Sequence, residues 1–524
     1  MSAERVRIWG PPGTGKTSKL MSIVADEIAA GVQPSEIIYT SFTKAACREA
    51  MDRIIKDGVY RRSDFPWFKT EHAICFALLG LQKDVVFTDK RLQDFGDQYP
   101  IYQFSNVHPS FDDRYSFMLQ SLGDFYEFFV AWMDNVMLPF DEAIKQFMRS
   151  HPDVPDGFNV SGARTYMERR DAFKRERGIW DFADMIHTCR QRELCPDGAK
   201  VLVSDECQDS SPLLWDLIQL WATKMERVYV AGDPFQAIFG FAGASPDLFD
   251  QFEGDLEILP HSWRLTPQVK NYAENIIKVA GLSLPPFTAS DRPGAVTQDN
   301  LMRIDWANLG STFVLARTRR QLQDLADRLQ LIGIPFIAER LRESPFNSSK
   351  GSAFYALARL RNKEPVNADD LRALAHHTRK PWLVHGAKAK IQKLVNAEFQ
   401  MKEIEHFFTQ SFLDVIKTEN FIDILCYNIE DIDRSYLGKV YRTGGIKAFM
   451  KAPSVTLTTI HGSKGRQADT VVLLPDIGRK AYDGFIQDKQ SEVFVAYVAV
   501  TRAINQVIML PRETAEAFPY PRRS

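Results

Sequence analysis

Short apolar runs, spaced by longer amphipathic stretches, set the rhythm of this chain. Val6–Trp9 and Glu36–Ser41 read as strands with a helix over Ser18–Ala30 between them, which predicts a βαβ unit. Two further runs, Val201–Ser204 and Arg227–Ala231, read as strands of the same sheet and end at Asp205-Glu206 and Gly232-Asp233. Carboxylates directly after buried strands fall at the carboxyl edge of a parallel sheet, where open α/β sheets bind ligands. Between these strand pairs, roughly Leu81 to Arg177, aromatic and helix-forming residues dominate. That stretch is too long for a loop and reads as an inserted helical domain. Past Gly254 the rhythm restarts with Leu256–Leu259, Thr312–Ala316, Ser454–Thr459 and Thr470–Leu474, interrupted by a charged, helical stretch from about Glu339 to Lys451. The fold class expected is α/β, with two parallel-sheet lobes each interrupted by a mainly helical insertion. The boundaries expected are 1–84 and 178–254 for the first lobe, 85–177 for its insertion, 255–338 and 452–524 for the second lobe, and 339–451 for its insertion.

Composition sharpens this in three places. A chain of 524 residues exceeds what one core supports, in keeping with two lobes. Lys+Arg at 65 against Asp+Glu at 67 leaves a net charge of −2, so any nucleic-acid contact must use a local groove rather than a basic surface overall. The six cysteines (Cys47, Cys75, Cys189, Cys195, Cys207, Cys426) form no CxxC pair, so free thiols in a reducing compartment are expected, without zinc or an iron–sulfur cluster. With no signal peptide and no apolar run near 20 residues, neither secretion nor a membrane is expected. The expected location is the cytoplasm, or the nucleus in a eukaryotic host.

The chemistry begins at Gly10-Pro11-Pro12-Gly13-Thr14-Gly15-Lys16-Thr17, directly after the first strand. This is the G-x-x-x-x-G-K-[ST] spacing of a phosphate-binding loop. Its glycines let successive N–H groups face an anion, Lys16 reaches the β- and γ-phosphates, and the Thr17 hydroxyl serves Mg²⁺. Asp205 suits the role of second Mg²⁺ ligand and Glu206 that of the base taking a proton from attacking water. Gln236, after the next strand, is a candidate γ-phosphate sensor. ATP and Mg²⁺ are the cofactors expected.

With these residues in view, the chain resembles superfamily 1 DNA helicases of the UvrD/Rep/PcrA type. The family's T-F-T-N-K-A-A-R-E resembles Ser41 to Glu49, its T-x-H resembles Thr70-Glu71-His72, and its D-F-x-D-L resembles Asp181 to Met185. Its G-D-x-x-Q-S-I-Y-x-F-R-G-A resembles Gly232 to Ala244, and N-Y-R-S resembles Ser262-Trp263-Arg264-Leu265. T-x-H-x-x-K-G-L-E resembles Thr459 to Gln467, and Y-V-A-x-T-R-A resembles Tyr497 to Ala503. The resemblance implies two RecA-like lobes and a motor that uses ATP to move 3′→5′ on single-stranded DNA and unwind duplex. It implies γ-phosphate contacts for Arg264 and Arg502, both expected in the second-lobe region and reaching across a cleft. Trp263 is implied to stack on adenine and Gln467 to bond the ribose. Phe42, Lys44, Thr70, His72, Phe241, Thr459, His461 and Lys464 are implied to contact the nucleic acid, with Phe42 and Phe241 as base-stacking platforms.

The departures are specific. Only nine residues precede Gly10, so no counterpart of the family's upstream adenine-reading glutamine is expected; Ala242 stands for an arginine and Gln467 for a glutamate. The second insertion is shorter than is usual in the family. Single-stranded DNA and its junctions with duplex are the expected partners, with a monomer as the working unit. Any nuclease is expected as a separate partner, since little chain follows Arg502. The alternatives are a nucleic-acid-stimulated ATPase or translocase without strong unwinding, a nucleic-acid-binding switch, and the motor subunit of a helicase–nuclease complex. A ring-forming chaperone-like ATPase shares G-P-P-G-T-G-K-T, but the motifs after Gly232 argue against it.

Overall fold

A computed structural model describes residues 4–56, 58–104, 121–151, 154–339, 341, 344–394, 398–418, 430–449 and 452–522. The chain forms two compact units, Met1–Arg292 with Gly484–Val498, and Pro293–Asp483 with Ala499–Ser524. The first is built on five strands: β1 (Glu4–Trp9), β2 (Ile37–Ser41), β3 (Val201–Asp205), β4 (Arg227–Gly232) and β5 (Asp255–Ile258). They run parallel in the order β2-β3-β4-β1-β5. Side chains alternate across a strand, and this sheet is apolar on both faces. Ile37, Tyr39, Val201 and Val203 pack with Leu20 and Val24 of α1 (Lys16–Ala29) and Met51 of α2 (Lys44–Ile54) on one face. Ile38, Leu202, Val228 and Val230 pack on the other with α3 (Glu71–Leu78) and two later helices.

The expected boundary at 254/255 does not match this sheet. The run near Leu256–Leu259 does not open the second lobe: as β5 it pairs with β1, Val6 beside Asp255 and Trp9 beside Ile258. The first unit accordingly runs on to Arg292 and also takes in Gly484–Val498. The physical reason is that β1 has two edges, and β4 covers only one of them.

The first insertion carries α4 (Asp89–Gln98), α5 (Leu122–Val136), α6 (Phe140–Ser150) and α7 (Val160–Arg177). Its core is aromatic: Phe95, Tyr102, Tyr126, Phe129, Phe147, Tyr166 and Phe173 meet edge to face or stacked. Buried charge ties it to the sheet layer through α8 (Phe182–Gln191). Arg170, 3% exposed, bonds Glu127 at 2.6 Å and Asp181 at 2.6 Å, while Lys174 reaches Asp184 at 2.9 Å. Asp181 and Asp184 also form the capping box of α8, each carboxylate accepting the other's backbone N–H. Burial alone would raise the Asp181 carboxyl; Arg170 and Lys174 more than offset it and hold it well below the usual range. Asp134 of α5 is the misfit. Burial, with repulsion from Asp181, pushes its carboxyl up to about 7.

The second unit contains β6 (Ala295–Gln298), β7 (Thr312–Ala316), β8 (Phe336–Ala338), the antiparallel pair β9 (Val366–Asn367) and β10 (Glu398–Phe399), β11 (Val455–Thr459), β12 (Ala468–Leu473) and β13 (Ala503–Met509). Six of them form a parallel sheet in the order β6-β13-β12-β7-β11-β8. The insertion between β8 and β11 is mainly helical, and its Phe354, Leu357, Leu371 and Leu374 join Val314, Leu329 and Leu457 in one core. Both lobes are RecA-like α/β units. Among the described residues no helix is long and apolar enough to cross a membrane. Cys47, Cys75, Cys189, Cys195 and Cys207 are free thiols, and Cys426 lies outside the described residues.

Asp134 yields a pH prediction. Its folded pKa lies above the ordinary value, so the folded chain holds a proton that the unfolded chain releases from about pH 4 upward. Stability from this group is present at low pH and lost as pH rises toward 7. Asp134→Asn is therefore expected to raise the melting temperature by about 2–4 °C at pH 8 and by much less at pH 5. Equal shifts at both pH values would contradict this.

Candidate functional site

β1 ends at Trp9, and the next residue anchors the loop: Gly10 N–H donates to Gly232 O at 3.1 Å. Two loop glycines adopt left-handed conformations, Gly13 with φ +73° and Gly15 with φ +83°. Gly15 is the N-cap of α1 and has no side chain to satisfy the helix's first amides, so those N–H groups face outward. A β-carbon on Gly10 would fall 2.0 Å from Lys16 Cγ, which leaves that position to glycine. Lys16 Nζ lies across the loop, 3.1 Å from Gly10 O and 3.8 Å from a Glu206 carboxylate oxygen. An amide-lined cradle with one ammonium fits a polyphosphate.

The carboxylates sit where β3 ends. Asp205, 3% exposed, accepts from the Thr17 hydroxyl at 2.8 Å, the Tyr39 hydroxyl at 3.2 Å and the Glu206 N–H at 2.9 Å. Burial, then the neighbouring Glu206 charge, pushes its carboxyl up to about 6, against the pull of Lys16 and Thr17. A hydroxyl and a carboxylate 2.8 Å apart suit a divalent cation that takes its other ligands from phosphate and water. Glu206 adopts a left-handed φ of +57°, and its carboxylate accepts from the Gln208 amide. Gln208 in turn accepts from Asp233 N–H at 3.0 Å, linking the ends of β3 and β4. Gln236 is 6% exposed, and its amide donates to Asp233 Oδ2 at 2.6 Å, so the expected sensor is held by a carboxylate.

Arg264 is the main correction. It was expected in the second-lobe region, reaching across a cleft, but it belongs to the same unit as the phosphate loop. The segment after β5 lies on that loop: Ser262 Oγ donates to Pro12 O at 2.7 Å, and Trp263 N–H donates to Gly13 O at 2.9 Å. A β-carbon on Gly13 would meet Arg264 Cβ at 2.2 Å. Burial lowers the Arg264 guanidinium from its ordinary value, against the pull of Glu206. Trp263 is 72% exposed, with His261 edge-on at 4.4 Å.

The aromatic candidates form a strip on the same unit. Phe42 stacks on Phe239 at 5.7 Å, and Phe239 meets Phe241 at 6.4 Å. Both Phe239 and Phe241 lie on the segment that continues from Asp233 and Gln236, through the turn at Gly240–Ala242. Lys44 is exposed on the first turn of α2. Thr70 (6% exposed) and His72 (8%) are buried, His72 edge-on to Phe182 at 5.3 Å, so neither stands in the strip's open face.

In the second unit, Thr459 ends β11 and its hydroxyl accepts from Gly462 N–H at 3.0 Å, shaping the turn that carries His461 and Lys464, both half-buried. Gln467 is exposed. Arg502 is 1% exposed, and its guanidinium donates to Arg466 O at 3.3 Å and to Thr501 Oγ1 at 3.3 Å. Tyr39, Gln208 and Ser262 join the site without a role expected from the sequence: Gln208 stands inside the Asp205–Asp209 motif and so carries a signal, while Tyr39 and Ser262 have only their neighbourhood.

A family model described as UvrD/REP helicase N-terminal domain matches residues 2–257. A protein named probable DNA helicase from Mycoplasma pneumoniae is 23% identical over 308 residues, 55% of this chain and 54% of its own length. A probable DNA helicase II homolog of the same organism is 23% identical over 306 residues, 54% of this chain and 40% of its own. An ATP-dependent DNA helicase PcrA from Staphylococcus aureus is 24% identical over 289 residues, 52% of this chain and 37% of its own. The chain thus spans about half or less of the relatives it matches.

Gly13 tests the loop. Alanine there pays for a left-handed backbone, about 1–2 kcal/mol, and drives a β-carbon into Arg264. Gly13→Ala is expected to weaken nucleotide binding at least about tenfold, measured by calorimetric titration of a non-hydrolysable triphosphate. Unchanged affinity would show that this contact does not shape the loop.

Proposed function

We propose that this chain, whose residues 2–257 belong to the UvrD/REP helicase N-terminal domain family, hydrolyses ATP and uses it to move 3′→5′ along single-stranded DNA and displace a paired strand. The observation that carries the reading is a single segment, Gly232 to Gly243. It touches the phosphate loop and Gln208 at one end and bears Phe239 and Phe241 at the other. One continuous piece of chain therefore joins nucleotide to track.

In this reading Lys16 and the N–H groups of Gly13, Gly15, Lys16 and Thr17 bind the phosphates, while Gly10, Pro11, Pro12 and Thr14 shape the loop around them. Thr17 and Asp205 would hold Mg²⁺, whose charge would offset that of the phosphate oxygens. Glu206 takes a proton from the attacking water. Arg264, seated on the loop, stabilises charge on the transferred phosphoryl group, and Trp263 offers a face to the base. Phe42 and Phe241 stack single-strand bases, which tolerates any sequence. For the second unit the reading rests on the motif resemblance alone: Arg502 and Gln467 for nucleotide, Thr459, His461 and Lys464 for the strand. Thr70 and His72, both buried, act on the strand from behind the strip. Ala242 and Gln467, where the family has charged residues, favour a second reading, a DNA-stimulated translocase that unwinds weakly.

Lys16→Ala is expected to abolish turnover and weaken nucleotide binding, Glu206→Gln to abolish turnover while ATP still binds. If Glu206→Gln retained more than about a tenth of turnover, the base would be another group. Basal hydrolysis should be slow and rise steeply with single-stranded DNA; a rate indifferent to polynucleotide refutes the motor. Unwinding of 3′-tailed but not 5′-tailed duplex tests the direction, and stimulation without unwinding selects the second reading.

Phe241→Ala should cost about 1–3 kcal/mol of single-strand affinity and leave the slope of log affinity against log salt unchanged. Lys464→Ala should lower that slope by about one. The reverse pattern would exchange the roles of the two residues.

A further inference from the structure

The loop bearing Phe241 is clamped from outside the sheet layer. His151, the residue that closes α6 in the first insertion, places Nε2 2.8 Å from Phe241 O. Its ring is fixed on its other sides, stacked on Phe147 at 4.2 Å and edge-on to Phe128 at 5.2 Å and Trp132 at 5.9 Å. Nδ1 lies 2.9 Å from Ser150 Oγ and 3.1 Å from Phe147 O. Asn135 of α5 makes a second clamp one residue on: its amide donates to Ala242 O at 3.5 Å, and its carbonyl oxygen accepts from Ser211 Oγ at 3.4 Å. The following Gly243, at φ +94°, lies so close that a β-carbon would stand 3.2 Å from Asn135 Cβ and 3.1 Å from Val136 Cγ1. Three consecutive residues of the loop are thus held by one wall of the insertion.

We propose that His151 is a positioning residue for the single-strand track: by holding the Phe241 carbonyl it sets where that ring stands relative to Phe239 and Phe42, and it makes the helical insertion part of the stacking platform. The turn Gly240–Ala242 is closed by its own backbone bonds, Ala242 N–H to Phe239 O at 2.9 Å and Gly243 N–H to Gly240 O at 3.0 Å, and the His151 and Asn135 bonds tie that closed turn to the insertion. Stacking on a platform that must first be ordered is weaker by the cost of ordering it. Burial pushes the His151 imidazole below its ordinary pKa, so the ring is neutral at pH 7, and an Nε2–H tautomer donates to Phe241 O without bringing a charge beside the bases. The inference rests on the reading of Phe241 as a platform.

The test uses the full chain and fluorescein-labelled oligothymidylate, read by anisotropy. His151→Phe keeps the ring stacking but removes the donor, and is expected to weaken binding about five- to tenfold. DNA-free ATPase and melting temperature should stay as in the wild type. His151→Gln, whose amide nitrogen reaches the Nε2 position, should restore most of the affinity. The double variant His151→Phe/Phe241→Ala should bind no more weakly than Phe241→Ala alone, because both act through one ring. Additive losses, or a His151→Phe that binds like the wild type, overturn the inference. Should His151→Phe unfold, Asn135→Ala takes its place and must show the same non-additive loss. If Phe241→Ala itself leaves affinity untouched, it is the platform reading that falls; if Phe241→Ala weakens binding and the clamp variants do not, only the positioning role does.

Discussion

Because β1 pairs in parallel with β4 on one side and β5 on the other, whatever follows those two strands must pass beside the phosphate loop. Parallel pairing aligns all the carboxyl ends at one edge of the sheet, and β1 lies between its partners there. β4 ends at Gly232, whose carbonyl holds the loop, and the segment after it runs on to the aromatic strip. The segment after β5 lays Ser262, Trp263 and Arg264 across Gly13. Even the carboxylates of β3, one strand further away, are drawn in through Gln208. The site is a consequence of strand order.

Strand order is also what the chain did not reveal when read linearly. The phosphate loop and the Asp205-Glu206 pair were legible because each is a local signal, a fixed spacing next to an apolar run. Leu256–Leu259 was equally visible as a strand, but nothing in an alternating pattern says which neighbour it pairs with. The linear pattern therefore places it in the wrong sheet, and Arg264 with it. β6 and β8, at the edges of the second sheet, are too short to stand out, and the Asn505-Gln506 pair broke the apolar pattern of β13. His151 and Tyr39 act on residues 90 and 166 positions away, contacts for which a single sequence has no signature.

Motif residues also turned out to differ in kind. Asp181 and Asp184, part of the resemblance, sit in a buried ion network that caps α8 and ties it to α7, far in character from the phosphate chemistry. Arg466 makes a bidentate pair with Glu339 at 2.7 Å, bonds Gly462 O at 2.8 Å and packs over Phe313, holding the turn that bears Lys464. The Arg170–Asp181 pair is buried, so losing one partner strands the other, whereas the Arg466–Glu339 pair is partly exposed and contributes little net stability. Their value here is geometric: each fixes the angle at which a helix or turn leaves its sheet.

The bond from Trp263 N–H to Gly13 O has a practical corollary. Of the nine tryptophans, Trp263 alone is exposed, with an imidazole edge-on beside it, and it is tied to the loop's central glycine. Movement of the loop is mechanically a movement of that indole relative to water and to His261. The chain thus carries an intrinsic fluorophore on the loop proposed to bind nucleotide, while its eight other indoles are buried or half-buried and less open to solvent. Stopped-flow emission in unlabelled protein would then follow occupancy of the loop in real time, with no dye attached.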